Sequence, residues 1–439
     1  MKVAFISMSG VRVRTEELAQ LGVTLPGFVD RGSVIASLPS LAGVTLAALT
    51  PADARFDYYD VADVTGAPVL DGYDLVAFST FTAMAYECYA LADRYRAAGV
   101  PTVIGGLHAT LVPDEAKRHA DAVCVGEGET LWPRIVEDAR TGKLQPMYRE
   151  ENRGSYPLSR TPVPRFELLD IERYNRLTVQ TSRGCPLDCE FCAASKIYGR
   201  YRIKPVAQVI AEIDAILKIW PSPFIEFADD NTFVDKSWAK AFVRELRTRR
   251  VRWFTETDVS LADDSELLEL LAGSGCQQVL VGLESVRRPG LERIDRANWK
   301  MKRRDTYERF IDEVQGRGIT VNGCFIVGLD SDTPDVFPEI ADFVKRTGLL
   351  ECQITVLTPF PGTRLYERLK AEGRLLRDEY WDRCTLFDVN FRPKGMSVDE
   401  LESGLRWLFS QLYSSAEQTR RRRHFMDIQK RRMTAATSA

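Results

Sequence analysis

The chain has no apolar run approaching the ~18 residues that a membrane helix needs, which excludes a transmembrane reading. Its N-terminus lacks a basic segment, a long apolar core and a small-residue cleavage site, and passes directly into Val3-Ala4-Phe5-Ile6, which predicts a cytoplasmic protein. It also lacks an excess of either charge: 59 Lys and Arg against 62 Asp and Glu give a net charge of -3, and the basic residues gather on no single face. Nucleic acid is therefore not an expected partner. The exception is the tail, where Arg420 to Arg423 and Lys430 to Arg432 surround Phe425 and Ile428 and read as a solvated C-terminal helix. Nine cysteines, an odd number without an export signal, exclude a disulfide framework and point to metal or redox use. Self-similar repeats and low-complexity segments are absent.

What is there fits a soluble enzyme: 439 residues, 45% hydrophobic and 28% charged, enough for two or three domains with sizeable cores. The first part alternates short β-rich runs (Val3 to Ile6, Phe56 to Tyr59, Leu75 to Ser79, Thr102 to Gly105, Ala122 to Val125) with helical stretches such as Met84 to Ala98. That alternation predicts a Rossmann-like, doubly wound parallel sheet over 1–142, with ligands at the strand carboxyl ends. Pro146, Pro157, Pro162 and Pro164 mark a linker over 143–175. Six further strand and helix units over 176–385 predict a partial β/α barrel, with chemistry again at the strand carboxyl ends. Residues 386–439 read as a helical cap.

The sharpest motif is Arg183-Gly184-Cys185-Pro186-Leu187-Asp188-Cys189-Glu190-Phe191-Cys192, directly after the first barrel strand. Three thiolates on a loop with Gly and Pro can converge on one inorganic cluster. A structural zinc site would want a fourth Cys or His nearby, and none follows before Cys276. With three protein ligands a [4Fe-4S] cluster keeps one iron open to chelate a small molecule. Cys276, Cys324 and Cys352 lie in apolar strand patterns and read as core.

This spacing in this place resembles the radical S-adenosylmethionine (SAM) superfamily. The resemblance implies that Cys185, Cys189 and Cys192 hold the cluster, with Phe191 beside it, and that the open iron binds the amino and carboxylate groups of SAM. It further implies reductive cleavage of SAM to a 5′-deoxyadenosyl radical, with the electron arriving from a donor such as flavodoxin or ferredoxin. By the same resemblance Asp229, Asp230 and Asn231 would take the SAM amine. Glu256, Asp258, Glu284 and Ser285 would lie near its ribose and methionine groups, and Val327 near the adenine. Asp230 and Glu256 join the cysteines as expected catalytic residues.

The first domain resembles the cobalamin-binding domain that precedes the barrel in one branch of that superfamily, on Val34 to Leu49, Ile104 to Thr110 and Val125 to Thr130. Ser79, Thr80, Gly105, Gly106, His108, Gly126 and Glu127 are its expected cofactor contacts. The Asp-x-His-x-x-Gly motif of histidine-ligated cobalamin is absent, because the only histidines are His108, His119 and His424. That excludes one mode of ligation and leaves cobalamin use open.

Two reactions follow from the resemblance: dehydration of an aminosugar, as in aminoglycoside diol dehydratases, or cobalamin-dependent methylation of an unactivated carbon. Glu226, Asp229, Asp230, Glu256, Asp258, Glu284 and Asp330 predict an acidic barrel mouth suited to a small cationic substrate and to proton transfer. The sequence reading therefore favours the dehydratase of antibiotic biosynthesis, with Phe81, Leu107 and His108 filling a vestigial cobalamin cleft. A non-enzymatic iron-sulfur sensor would not need the acidic strand ends, and an RNA-modifying enzyme would want a larger basic module.

Overall fold

The computed structural model describes the chain except residues 9–12, 21–37, 62–63, 65 and 438–439. Part of the Val34 to Leu49 resemblance lies outside the described residues.

The first sheet comprises β1 (Lys2–Met8), β2 (Arg55–Val61), β3 (Leu75–Ser79), β4 (Thr102–Gly105), β5 (Ala122–Val125) and β6 (Met147–Arg149). All pair in parallel, in the order β2-β1-β3-β4-β5-β6. Alternation along each strand sends side chains to two apolar layers, as a sheet covered on both faces requires. Ala4, Ile6, Val76, Phe78 and Ile104 pack against Cys88, Leu91 and Tyr95 of the helix Ala85–Ala97. Val3, Phe5, Leu75, Ala77 and Val103 pack against Trp132, Ile135 and Val136 of the helix Gly128–Arg140. β6 corrects the linker expectation: Met147, Tyr148 and Arg149 pair with Val123, Cys124 and Val125, so the proline-flanked segment first extends this sheet. Three 3-10 turns follow before the next strand.

The second sheet holds β7 (Leu177–Val179), β10 (Phe224–Phe227), β11 (Arg252–Thr257), β12 (Cys276–Glu284), β13 (Thr320–Val327) and β14 (Glu351–Val356). Between the first two of these lies a small antiparallel pair, β8 (Ser182–Arg183) with β9 (Arg202–Ile203). The order β14-β13-β12-β11-β10-β7 is parallel throughout and open at β7 and β14, which is the partial barrel expected. Its core is continuous from Leu177 to Leu412.

The helix Val398–Leu412 starts at a capping box of Ser397 and Glu400 and packs on the helix Val336–Thr347, where Gly404 leaves room for the Phe337 ring. The tail is a helix, Ser415–Thr437, but not wholly solvated. Arg421 is buried, donating to Leu412 O at 2.6 Å and Cys352 Sγ at 3.3 Å, so this basic residue anchors the helix instead of facing water.

Candidate functional site

Cys185, Cys189 and Cys192 occupy one loop after β8, bound to the fold on three sides. Gly184 opens it with φ 81°, where a Cβ would meet Gly199 O and Arg200 O at 3.0 Å each, so only glycine fits. Asp230, at the end of β10, accepts from Gly184 N at 3.0 Å. On the far side Cys189 bridges Asp295, and Glu190 N donates to Ile294 O at 2.8 Å. Burial raises all three thiols, Cys185 to about 11. Among the described residues no three metal-binding side chains close on one ion-sized point. Thiols spread along a single loop suit a cluster in which each iron takes its own thiolate, so the donor set fits [4Fe-4S]. Phe191, half-buried, packs its ring against the main core.

The expected SAM acids divide into two groups. Asp229 is buried and saturated: it accepts from Thr181 N at 2.7 Å, Thr181 Oγ1 at 2.5 Å, Ser182 N at 2.8 Å and Thr232 Oγ1 at 2.8 Å. It ties together the segment that follows β7 and the loop after β10. Asp230 and Glu256 point the other way energetically. Asp230 has Gly184 N as its hydrogen-bond donor and is raised to about 6, first by burial and then by Asp229. Glu256 has no side-chain partner among the described residues. Burial, then the charges of Asp230, Glu226, Asp229 and Glu284, push it to about 8. Asn231 is buried and donates to Asp258 Oδ2 at 2.6 Å, while its Oδ1 has no partner, an acceptor left for a ligand. Asp258 also caps the turn after β11 through Ser260 N.

At the end of β12, Glu284 takes the left-handed conformation, φ 60°, and pairs with the buried Lys300 at 2.9 Å. Lys300 donates further to Gly282 O at 2.8 Å, and its own backbone N–H is held by Asp295 at 3.0 Å. Nothing in the sequence pattern singles out Lys300, because the loop that brings it to β12 is irregular. Ser285 is buried and accepts from Arg287 N, and Val327 is fully buried in the core. Both are enclosed by protein among the described residues.

These pairings also correct the acidic mouth. Glu226 is neutralised by Arg176, Glu284 by Lys300, and Asp330 by Arg368 at 2.7 Å, Arg374 at 2.8 Å and Lys394 at 3.1 Å. Of the seven expected acids, Asp230 and Glu256 alone have neither an ion pair nor a set of hydrogen bonds that occupies them.

In the first domain, Ser79, Thr80, Gly105 and Gly106 meet at the ends of β3 and β4. Gly106 has φ 91°, and a Cβ there would lie 2.9 Å from Ser79 Oγ and 3.0 Å from Thr80 N. Thr80 turns inward, donating to Phe81 O. Gly126 has φ 112° and its N–H donates to Thr110 Oγ1 at 3.2 Å. The His108 ring is fully buried beside Trp381, with Thr82 Oγ1 at 3.4 Å from Nδ1 and Glu115 Oε1 at 3.6 Å from Nε2. Phe81 is 51% exposed, so it fills no cleft. Open, small-residue strand ends with an exposed aromatic beside them fit a large flat cofactor such as cobalamin.

Glu127 does something the sequence did not reveal. Its buried carboxylate accepts from Arg183 at 2.6 Å and from both terminal nitrogens of Arg202 at 3.0 Å, and Glu129 also grips Arg183. Arg183 stands two residues before Cys185. The carboxyl end of β5 is thus bolted to the cluster loop, and Glu127 makes an inter-domain contact. The position of Arg183 within the cysteine motif was the one available signal.

Models of known families match in three blocks: the radical SAM superfamily over residues 179–344, the B12 binding domain over 56–136, and a domain of unknown function (DUF4070) over 363–439. An uncharacterised methyltransferase of Synechocystis sp. is 30% identical over 366 residues, covering 81% of this chain and 67% of the relative. Bacteriochlorophyllide d C-12(1)-methyltransferase of Chlorobaculum tepidum is 27% identical over 402 residues, covering 88% of this chain and 85% of the relative. Among solved structures, the radical SAM methyltransferase TsrM from Kitasatospora setae, with cobalamin and a [4Fe-4S] cluster bound, shares the fold at TM-score 0.66 and 16% identity, over 95% of this chain and 89% of that one. The chain belongs to the radical SAM superfamily, in the branch that carries an N-terminal B12-binding domain.

Proposed function

We propose that the protein is a cobalamin-dependent radical SAM methyltransferase that transfers a methyl group to a carbon of a small-molecule substrate. The observation that carries this reading is the grip of Glu127 and Glu129 on Arg183, which turns the carboxyl ends of the first sheet onto the cluster loop of the second. Cobalamin held at the first sheet would supply the methyl group, and this contact supports a reading in which the two cofactor sites lie near one another. The names of the relatives support methylation, and with five of the seven expected mouth acids occupied, an aminosugar dehydratase has less physical support.

When bound, the cluster supplies an electron to SAM and cobalamin supplies a methyl carrier. Cys185, Cys189 and Cys192 would hold the cluster. Asp230 would accept from the SAM ammonium, and that charge would draw its proton affinity back down. Glu256 holds a proton at neutral pH and so donates a hydrogen bond where an ionised neighbour would only accept. Ser79, Gly105, Gly106 and Gly126 would lie along the corrin face.

The test is anaerobic reconstitution with iron, sulfide and hydroxocobalamin. The reading requires stoichiometric cobalamin after desalting and a labelled methyl group passing from SAM to product. A desalted protein free of cobalamin, whose product has lost water, would restore the dehydratase.

A further inference from the structure

The outer side of the cluster loop carries a knot of cations. Asp188, the residue before Cys189, has φ 47°, and its carboxylate is only partly exposed. Three cations share it: Arg364 at 2.9 Å to both oxygens, Arg296 at 2.6 Å and Lys196 at 3.7 Å. One carboxylate cannot neutralise three cations, so the knot keeps a positive excess on a chain whose overall charge is -3. Arg296 is 72% exposed, and Arg153, also exposed, donates to Lys196 O at 3.0 Å and extends the rim. Pro186, at the tip between Cys185 and Cys189, is exposed as well.

The other approaches to the loop are covered. Glu127 and Glu129 close the side of Arg183, Asp230 lies against Gly184, and the Ile294-Asp295 segment lies against Cys189 and Glu190. Consecutive Cα atoms stand ~3.8 Å apart, so Asp188 lies a single residue from one thiolate. The cation knot thus adjoins the loop that carries the cluster cysteines.

We propose that the rim formed by Arg153, Lys196, Arg296 and Arg364 is the docking surface for a small acidic electron-transfer protein that reduces the cluster. The proposal rests on the iron-sulfur reading above, not on the identity of the methyl acceptor. The charges are complementary, and rim charges of this kind act mainly on association rate and its salt dependence. In the step itself one electron leaves the donor and enters the oxidised cluster; no bond forms or breaks, and the donor is oxidised by one electron.

The experiment follows cluster reduction by loss of visible absorbance and appearance of its EPR signal, in the reconstituted full chain and in a double variant, Lys196→Glu with Arg296→Glu. Both substituted side chains leave the cysteine ligands untouched. The probes are reduced methyl viologen, a small cation, and the hydroquinone form of a purified acidic flavodoxin. Flavodoxin should reduce the unaltered chain more slowly as salt rises. It should reduce the double variant about tenfold more slowly, with the salt dependence largely lost. Methyl viologen should reduce both chains without loss of rate. Equal flavodoxin rates in the two chains would overturn the docking surface, as would equal slowing with methyl viologen, which would place the effect in the cluster. An unaltered chain that assembles no cluster would overturn the iron-sulfur reading and the docking surface with it, whereas a cluster that methyl viologen reduces and flavodoxin does not would overturn the docking surface alone.

Discussion

Replacing Glu256 by Gln tests whether the barrel mouth stores unfavourable charge for its ligand. Glu256 is crowded by Asp230, Glu226, Asp229 and Glu284 and is held at about 8, against an ordinary value of 4.5. The folded chain therefore binds this proton more tightly than the unfolded chain. The stability it confers is complete below about 4.5 and is lost as pH rises through 8. At ~1.4 kcal/mol per decade of proton affinity the full interval is worth about 5 kcal/mol; solvent reaching this partly open group screens roughly half, leaving ~2–3 kcal/mol. Gln keeps the shape and cannot ionise. Glu256→Gln should therefore match the parent near pH 5 and melt about 4 °C higher near pH 9 in the absence of SAM. The assay is thermal denaturation followed by circular dichroism across that pH range. Identical melting curves at both ends, or a variant less stable at high pH, would refute the charge crowding and the placement of Glu256 in the mouth.

Cys185→Ala, Cys189→Ala and Cys192→Ala should each abolish cluster absorbance and 5′-deoxyadenosine formation, whereas Cys88→Ala, buried between sheet and helix, should retain both. Asp230→Ala should weaken SAM by about 1–3 kcal/mol in a binding titration with the cluster still assembled. Asp229→Ala should instead lower the melting temperature, because it strands the donors of Thr181, Ser182 and Thr232. Glu127→Ala removes the carboxylate partner of Arg202, which keeps only Tyr156 O and Tyr198 O, and half of the Arg183 fork, a loss of about 3–5 kcal/mol. Limited proteolysis should then cut within 150–175 sooner than in the parent, and unchanged cleavage would count against the inter-domain bolt.

Much of the architecture was legible from local pattern. Five of the six strands of the first sheet are short β-rich runs between helical stretches, and each lies where the alternation predicts it. β6 was hidden because Met147-Tyr148-Arg149 is brief, polar at one end and next to Pro146; its pairing partner, β5, is over 20 residues upstream. The cysteine run was equally plain, since three ligands within eight residues need no tertiary contact to be neighbours.

The sequence by itself thus determined what depends on neighbours in the chain: the parallel sheets, the cluster loop and the order of polar strand ends. Only the tertiary structure decided which polar groups are free. Asp229 and Asp230 are adjacent, yet Asp229 is consumed by Thr181, Ser182 and Thr232 while Asp230 meets Gly184 N of the cluster loop. His108 is buried beside Trp381, more than 250 residues away, and Glu127 is claimed by Arg183 and Arg202 from the other domain. Charge and hydrogen-bonding capacity are local properties of a residue, but whether they are already satisfied depends on partners that the fold brings from far along the chain.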